Sequence, residues 1–193
     1  MMSPSRARPW RVVLIVEDDS DGRALRKLAD ASGLAANFDW LPANGIGDIK
    51  RKGDALIELA RDRIESKRGR VAVLVDRDGK DRRKDEPHRT ISRTCATKRI
   101  PYIEAVEAFE AWCLADQGIA NWLGVKTSAH TDGLSDPKHV VARAFRKKTG
   151  RPYQKLRSRV QLVEKATGIV ASRSSSWTSA VAHLSQCPLE GMQ

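Results

Sequence analysis

The sequence is short of cysteine, of long apolar runs and of clustered histidine, and each shortage removes a class of protein. Three cysteines, Cys95, Cys113 and Cys187, are odd in number and lack close pairing, which argues against a disulfide framework and a zinc knuckle and leaves them as expected buried thiols. The longest aliphatic run, Val12 to Val16, falls far below the ~20 residues that span a bilayer. The basic start from Met1 to Arg11 has no apolar stretch of signal-peptide length, so a cytoplasmic protein with no membrane partner is expected. His88, His130, His139 and His183 are scattered without paired ligand spacing and receive no catalytic role. Neither an internal repeat nor a low-complexity tract is present.

What is there points to one α/β domain with a modest appendage. The chain has 193 residues, 40% of them hydrophobic, and a mean hydropathy of -0.48, the balance of a soluble globular protein. Lys and Arg number 35 against 24 Asp and Glu, a net charge of +11, which favours a polyanionic partner, nucleic acid first.

Arg11 to Val16 and Arg70 to Val75 are valine-rich runs of the kind covered on both faces in a parallel sheet. Between them the spacing predicts a helix from Asp21 to about Ser32, a weaker strand around Asn37 to Leu41 and a helix from about Ile49 to Lys67, with Gly33 and Gly69 as stops. A helix from about Pro87 to Thr97, a strand at Ile100 to Val106 and a helix from about Glu107 to Asp116 follow. Further helices are expected near Pro137 to Lys148, Tyr153 to Thr167 and Ser175 to Ser185. The expected organisation is a basic tail over 1–10, an α/β domain of mostly parallel sheet flanked by helices over 11–123, and a basic helical extension over 124–193 packed on it.

Open α/β sheets bind ligands beyond the carboxyl ends of their strands, and both buried strands end there in acid. Glu17, Asp18, Asp19 and Asp21 follow the first, and Asp76 and Asp78 the other. Side chains two apart in extended chain point the same way, so Asp76 and Asp78 can aim at one point beside Glu17. Two like charges ~4 Å apart cost about 1 to 4 kcal/mol, so several close acids call for a cation or shared protons. Carboxylate oxygens without His or Cys favour Mg²⁺ or Mn²⁺.

Val16-Glu17-x-x-x-Asp21, followed by Val75-Asp76-x-Asp78-Gly79, resembles the two motifs of the TOPRIM superfamily, which includes topoisomerases, bacterial primases and nucleases of the OLD (overcoming lysogenization defect) type. The resemblance implies a Rossmann-like fold and a divalent-metal-dependent nuclease acting on DNA or RNA. It makes Glu17, Asp76 and Asp78 catalytic and metal-binding, with Glu17 also the acid/base group. Asp21 and Glu110 are added as metal ligands, although Ala108, Trp112 and Ala115 also make Glu110's helix a plain docking helix. Where the superfamily usually has Gly after the glutamate, this chain has Asp18. Phe109 to Asp116, then Asp136-Pro137-Lys138, then Tyr153-Gln154-Lys155 resemble a family of small TOPRIM-like proteins often encoded beside ABC-type ATPases, which implies such an ATPase as partner in phage defence. A topoisomerase is disfavoured because the chain lacks room for gating domains and has only Tyr102 and Tyr153 as nucleophiles; a primase is disfavoured because no zinc module is found.

Lys138 to Arg159 holds nine Lys or Arg and no acid, with Phe145 and Tyr153 interleaved. This segment is read as a nucleic-acid backbone site through Lys138, Arg143, Arg146, Lys147, Lys148, Arg151 and Lys155, with a solvated helical face as the plainer alternative. Lys80, Arg82, Arg83, Lys84 and Arg89 offer further phosphate contacts or a balance for nearby acids. Gly45-Ile-Gly47 before Lys50-Arg51-Lys52 is either a phosphate seat or a plain turn. Two other functions compete with the nuclease. Leu14 to Asp19 also resembles the start of a response-regulator receiver, which would make Asp76 a phosphoacceptor, and a TOPRIM-like fold can serve as a non-catalytic binding subunit.

Overall fold

The valine-rich runs form the two central strands of a four-stranded, all-parallel sheet. β1 (Arg11–Val16) and β3 (Gly69–Asp76) lie side by side, with β2 (Asn37–Pro42) outside β1 and β4 (Tyr102–Ala105) outside β3. This is a computed structural model, and it describes residues 10–64, 69–78, 85–126 and 130–185. Successive strand residues alternate between faces. Val12, Leu14, Val16, Ala72 and Leu74 therefore enter one apolar cluster, and Val13, Ile15, Val71, Val73 and Val75 enter a second on the opposite face.

The chain steps from β1 outward to β2, then reverses across β1 to reach β3 and β4. Right-handed crossovers then require the first connecting helix on one face and the next two on the other. The packing agrees: Ala24, Leu25 and Leu28 of α1 (Asp19–Ala31) join the first cluster, while Ile49 and Ile57 of α2 (Ile46–Asp62) and Ile91 and Cys95 of α3 (Asp85–Thr97) join the second. This reversal puts the topological switch point between β1 and β3, where parallel sheets open a crevice at their carboxyl edge.

The remaining helices, α4 (Phe109–Ala115), α5 (Gln117–Leu123), α6 (Pro137–Thr149), α7 (Lys155–Val163) and α8 (Ser175–Ser185), cover the face that α1 leaves half open. Val141, Phe145, Leu162, Trp177 and Leu184 belong to the same cluster as β1 and α1. α7 packs on α1, α6 on α4 and α8 on β4, and Trp177 meets Trp112 edge-on with ring centroids 5.2 Å apart.

Several boundaries differ from expectation for local reasons. α1 starts at Asp19 because the Asp18 carboxylate caps it, accepting from the Ser20 and Asp21 amides while Asp21 accepts in return from the Asp18 amide. α2 starts at Ile46 and ends at Asp62, and Lys67, its expected end, lies outside the described residues. α4 starts at Phe109, because Glu107 sits in a left-handed turn at φ 66°. α5 is an element the apolar spacing did not announce; Asp116 caps it through the Ile119 amide, and Gly124 ends it in the left-handed region. α7 is shorter than the expected span from Tyr153 to Thr167. Among the described residues no helix is long and apolar enough to cross a membrane.

Candidate active site

The loop leaving β2 pins the end of β1. Val16 and Glu17 offer their carbonyls to the Ala43 and Gly45 amides, both at 2.9 Å, through a turn in which Gly45 adopts φ 100°. With its backbone fixed, Glu17 turns its carboxylate toward β3, and Oε1 accepts the Asp76 amide at 3.0 Å. Asp76 is the last residue of β3 and lies on the face of Ala72 and Leu74. Its Oδ1 accepts from the Phe109 amide at 2.9 Å, whereas Oδ2 is buried without a hydrogen-bond partner. Glu17 and Asp76 thus meet at the switch point between the central strands.

Three cations from the C-terminal helices enter this corner. Arg159 of α7, fully buried, donates through Nη1 to Asp21 and through Nη2 to Glu110 Oε1 at 2.8 Å, and lies 3.7 Å from Asp76 Oδ2. Its guanidinium carbon sits over the Phe109 ring, 4.8 Å from the centroid. Lys155 bridges Asp18 at 2.6 Å and Asp21 at 3.3 Å. Lys138, at the start of α6, donates to Asp78 and reaches Asp76 Oδ2 at 3.6 Å. The Tyr153 hydroxyl donates to Glu110 Oε1 at 2.8 Å, and Glu110 Oε2 is buried without a hydrogen-bond partner.

Among the described residues, the carboxylates of Glu17, Asp18, Asp21, Asp76, Asp78 and Glu110 meet the cations Lys138, Lys155 and Arg159. The acid that shows the crowding of these carboxylates most is Glu17. Burial, then the Asp76 charge, raises its pKa from the ordinary 4.5 to about 7. Burial also raises Asp21, against the pull of Arg159. Asp18 moves down, because hydrogen bonds from Lys155 and Ser20 outweigh its burial. For Arg159, Lys155 and Lys138 burial favours loss of the proton, but the surrounding carboxylates win and hold all three more firmly protonated.

The acid residues read from the sequence separate into three groups. Glu17 and Asp76 touch directly. Asp78 joins them through Lys138, but it is exposed and left-handed at φ 35°, so the alternation of extended chain stops at Asp76. Asp21 and Glu110, expected as metal ligands, are tied together by Arg159. Asp19 leaves the corner altogether, accepting from the Trp40 indole at 2.9 Å and pairing with Arg23.

No protein-family model and no curated protein matches this chain.

The basic residues divide as well. Lys138 and Lys155 turn inward to the acids, while Arg143, Arg146, Lys147, Lys148 and Arg151 are exposed on α6 and the turn after it. Lys80, Arg82, Arg83 and Lys84 lie outside the described residues, and Arg89 pairs with Glu86. Beyond Gly45, Arg51 and Lys52 fold back onto Asp48, the behaviour of a plain turn. Arg159 was not singled out from the sequence. Its signal was legible: Lys155, Arg159 and Leu162 recur at i, i+4 and i+7, and that stripe is the one α7 turns inward.

The donor set suits a hard divalent cation, since Glu17, Asp76 and Asp78 supply carboxylate oxygens and Asp76 Oδ2 is buried without a hydrogen bond. As the side chains stand, among the described residues no three His, Cys, Asp or Glu gather as metal ligands, and Lys138 covers the approach to Asp76 and Asp78.

Proposed function

We propose that the acid corner hydrolyses phosphodiester bonds of nucleic acid with the help of Mg²⁺ or Mn²⁺, as its resemblance to the TOPRIM superfamily implies. One observation carries the reading. At the switch point of a parallel sheet, a glutamate whose pKa is raised to about 7 is oriented by the amide of an aspartate that keeps one buried carboxylate oxygen free of hydrogen bonds.

Glu17 is the general base. The Asp76 amide holds one carboxylate oxygen and so fixes the direction in which the other accepts a proton. It takes the proton of the attacking water as the new P–O bond forms, and the ester oxygen leaves protonated by solvent. Lys138, with 43% of its side chain exposed, is free to move from Asp78 onto a phosphate oxygen. Glu17, Asp76 and Asp78 would hold the divalent cation, whose contribution when bound is to polarise the phosphate and neutralise charge on the leaving oxygen.

A second reading has an observation in its favour. Three of the corner's negative charges are already met by Lys138, Lys155 and Arg159, so the cluster also fits a binding subunit that needs no metal.

Incubating the purified protein with Mn²⁺ or Mg²⁺ and labelled DNA or RNA, alone and with an ABC-type ATPase partner, decides between them. Cleavage that falls at least about a hundredfold in both Asp76→Asn and Glu17→Gln supports hydrolysis. No cleavage by the wild type in any arm overturns it and leaves the binding subunit.

A further inference from the structure

A cavity lies away from the acid corner, between α5 and α6, and measures about 800 Å³, within the size range of small-molecule sites. Leu114, Leu123, Leu134 and Val140 supply apolar lining, and the half-buried Trp122 lies among them. The exposed side chains of Lys126, Arg143, Lys147 and Lys148 surround it, and no acidic residue is among the described residues that line it. Lys148 Nζ stands 6.0 Å from the Trp122 ring centroid, so a cation and an aromatic face are offered together.

This combination selects its ligand by chemistry. A flat ring can stack on the indole while a phosphate attached to it meets the surrounding ammonium and guanidinium groups. A duplex meets the cations with its phosphates but keeps its bases stacked inside, so it leaves the apolar lining unused. A chain of contacts joins the cavity to the acid corner. Trp122 packs on Phe145 at 6.0 Å, Phe145 on Tyr153 at 5.6 Å, and Tyr153 donates to Glu110. Along α6, Lys147 at the cavity lies nine positions beyond Lys138 at the corner, about 14 Å of rise and half a turn round the helix, so the two lysines serve opposite sides of α6.

We propose that the cavity between α5 and α6 seats an unpaired base of a single-stranded nucleic acid, stacked on Trp122, with its neighbouring phosphates on Arg143, Lys147 and Lys148. The proposal rests on the nucleic-acid reading of the acid corner and adds to it the strandedness of the substrate.

The test is equilibrium binding in EDTA, which separates it from hydrolysis. Fluorescently labelled oligo(dT) and oligo(U) and a blunt duplex of equal length are titrated with the full-length chain across a range of salt. The expected result is at least about tenfold tighter binding of both single strands than of the duplex. Trp122→Leu should remove most of that preference and leave duplex binding unchanged, while Trp122→Tyr should keep it, which distinguishes lost stacking from lost folding. Lys147→Ala should lower the salt slope on single strands by about 0.7. Equal affinity for single strands and duplex, a preference that survives Trp122→Leu, or no binding of either single strand would overturn the proposal. Strand-selective binding together with no cleavage in the metal-containing assay would leave this proposal standing and remove the hydrolytic one.

Discussion

At the scale of single residues, the acid corner is organised by Arg159. A fully buried guanidinium is tolerated because Asp21, Glu110 and Asp76 surround it, and those acids are tolerated because it is there. Arg159→Met should therefore lower stability by about 3 to 5 kcal/mol in urea unfolding, since it strands buried carboxylates. Adding Glu110→Gln and Asp21→Asn to that variant should recover part of the loss. A single variant as stable as the wild type would show that the cluster contributes no net attraction.

Glu17 gives a prediction of opposite sign. Its folded pKa, about 7, lies above the ordinary 4.5, so the folded protein binds this proton more tightly than the unfolded chain does. The associated stability is complete below about pH 4.5 and is lost as the pH rises through about 7. Glu17→Gln keeps an oxygen for the Asp76 amide and removes the charge. In EDTA it should unfold at a higher temperature than the wild type at pH 8, by the equivalent of about 1 to 2 kcal/mol after allowance for partial solvent contact, and the gap should narrow to about a quarter of that at pH 5. A gap that is the same at both pH values would mean that Glu17 is charged throughout.

At the scale of elements, the start of α1 shows why a run of acids need not be one site. Of the acids from Glu17 to Asp21, the first faces β3, Asp18 caps the helix, Asp19 holds the Trp40 indole and Asp21 faces Arg159. Helical geometry separates residues that sequence places together. Asp18→Ala should cost about 1 kcal/mol in urea unfolding through the lost cap, and Asp18→Ser should restore most of it, because serine also accepts the first-turn amides. If Ser and Ala cost the same, the Lys155 contact outweighs the cap. Gly22, one turn into α1, lets the helix approach β2, since a Cβ there would lie 2.2 Å from the Trp40 ring. The strand and helix order was legible because Val12 to Val16 and Val71 to Val75 are apolar without break, and this happens only where both faces are covered. α5 was not legible, because what starts and stops it is the carboxylate of Asp116 and the turn at Gly124.

At the scale of the whole molecule, the C-terminal helices finish both the core and the site. Val141, Phe145, Leu162 and Trp177 fill the face beside α1, and the same segments bring Lys138, Lys155 and Arg159 to the acids. A fragment ending at Leu123 should therefore fail to fold cooperatively: it exposes one apolar face and leaves Asp21, Asp76 and Glu110 without their cations. A cooperative thermal transition and slow proteolysis of that fragment would contradict this.

The sequence alone determined the alternation of strands and helices, the parallel sheet, and the delivery of acids to one edge, because hydrophobic period and strand-end position are local properties of the chain. Only the tertiary structure decided which acids share a site and what neutralises them. Lys138, Lys155 and Arg159 lie 62 to 83 positions from Asp76, and no local pattern specifies that the helices carrying them fold back to the switch point. The raised pKa of Glu17 sums its burial with the charges of Asp76, Lys155 and Asp21, and such a sum exists only after packing has brought these groups together.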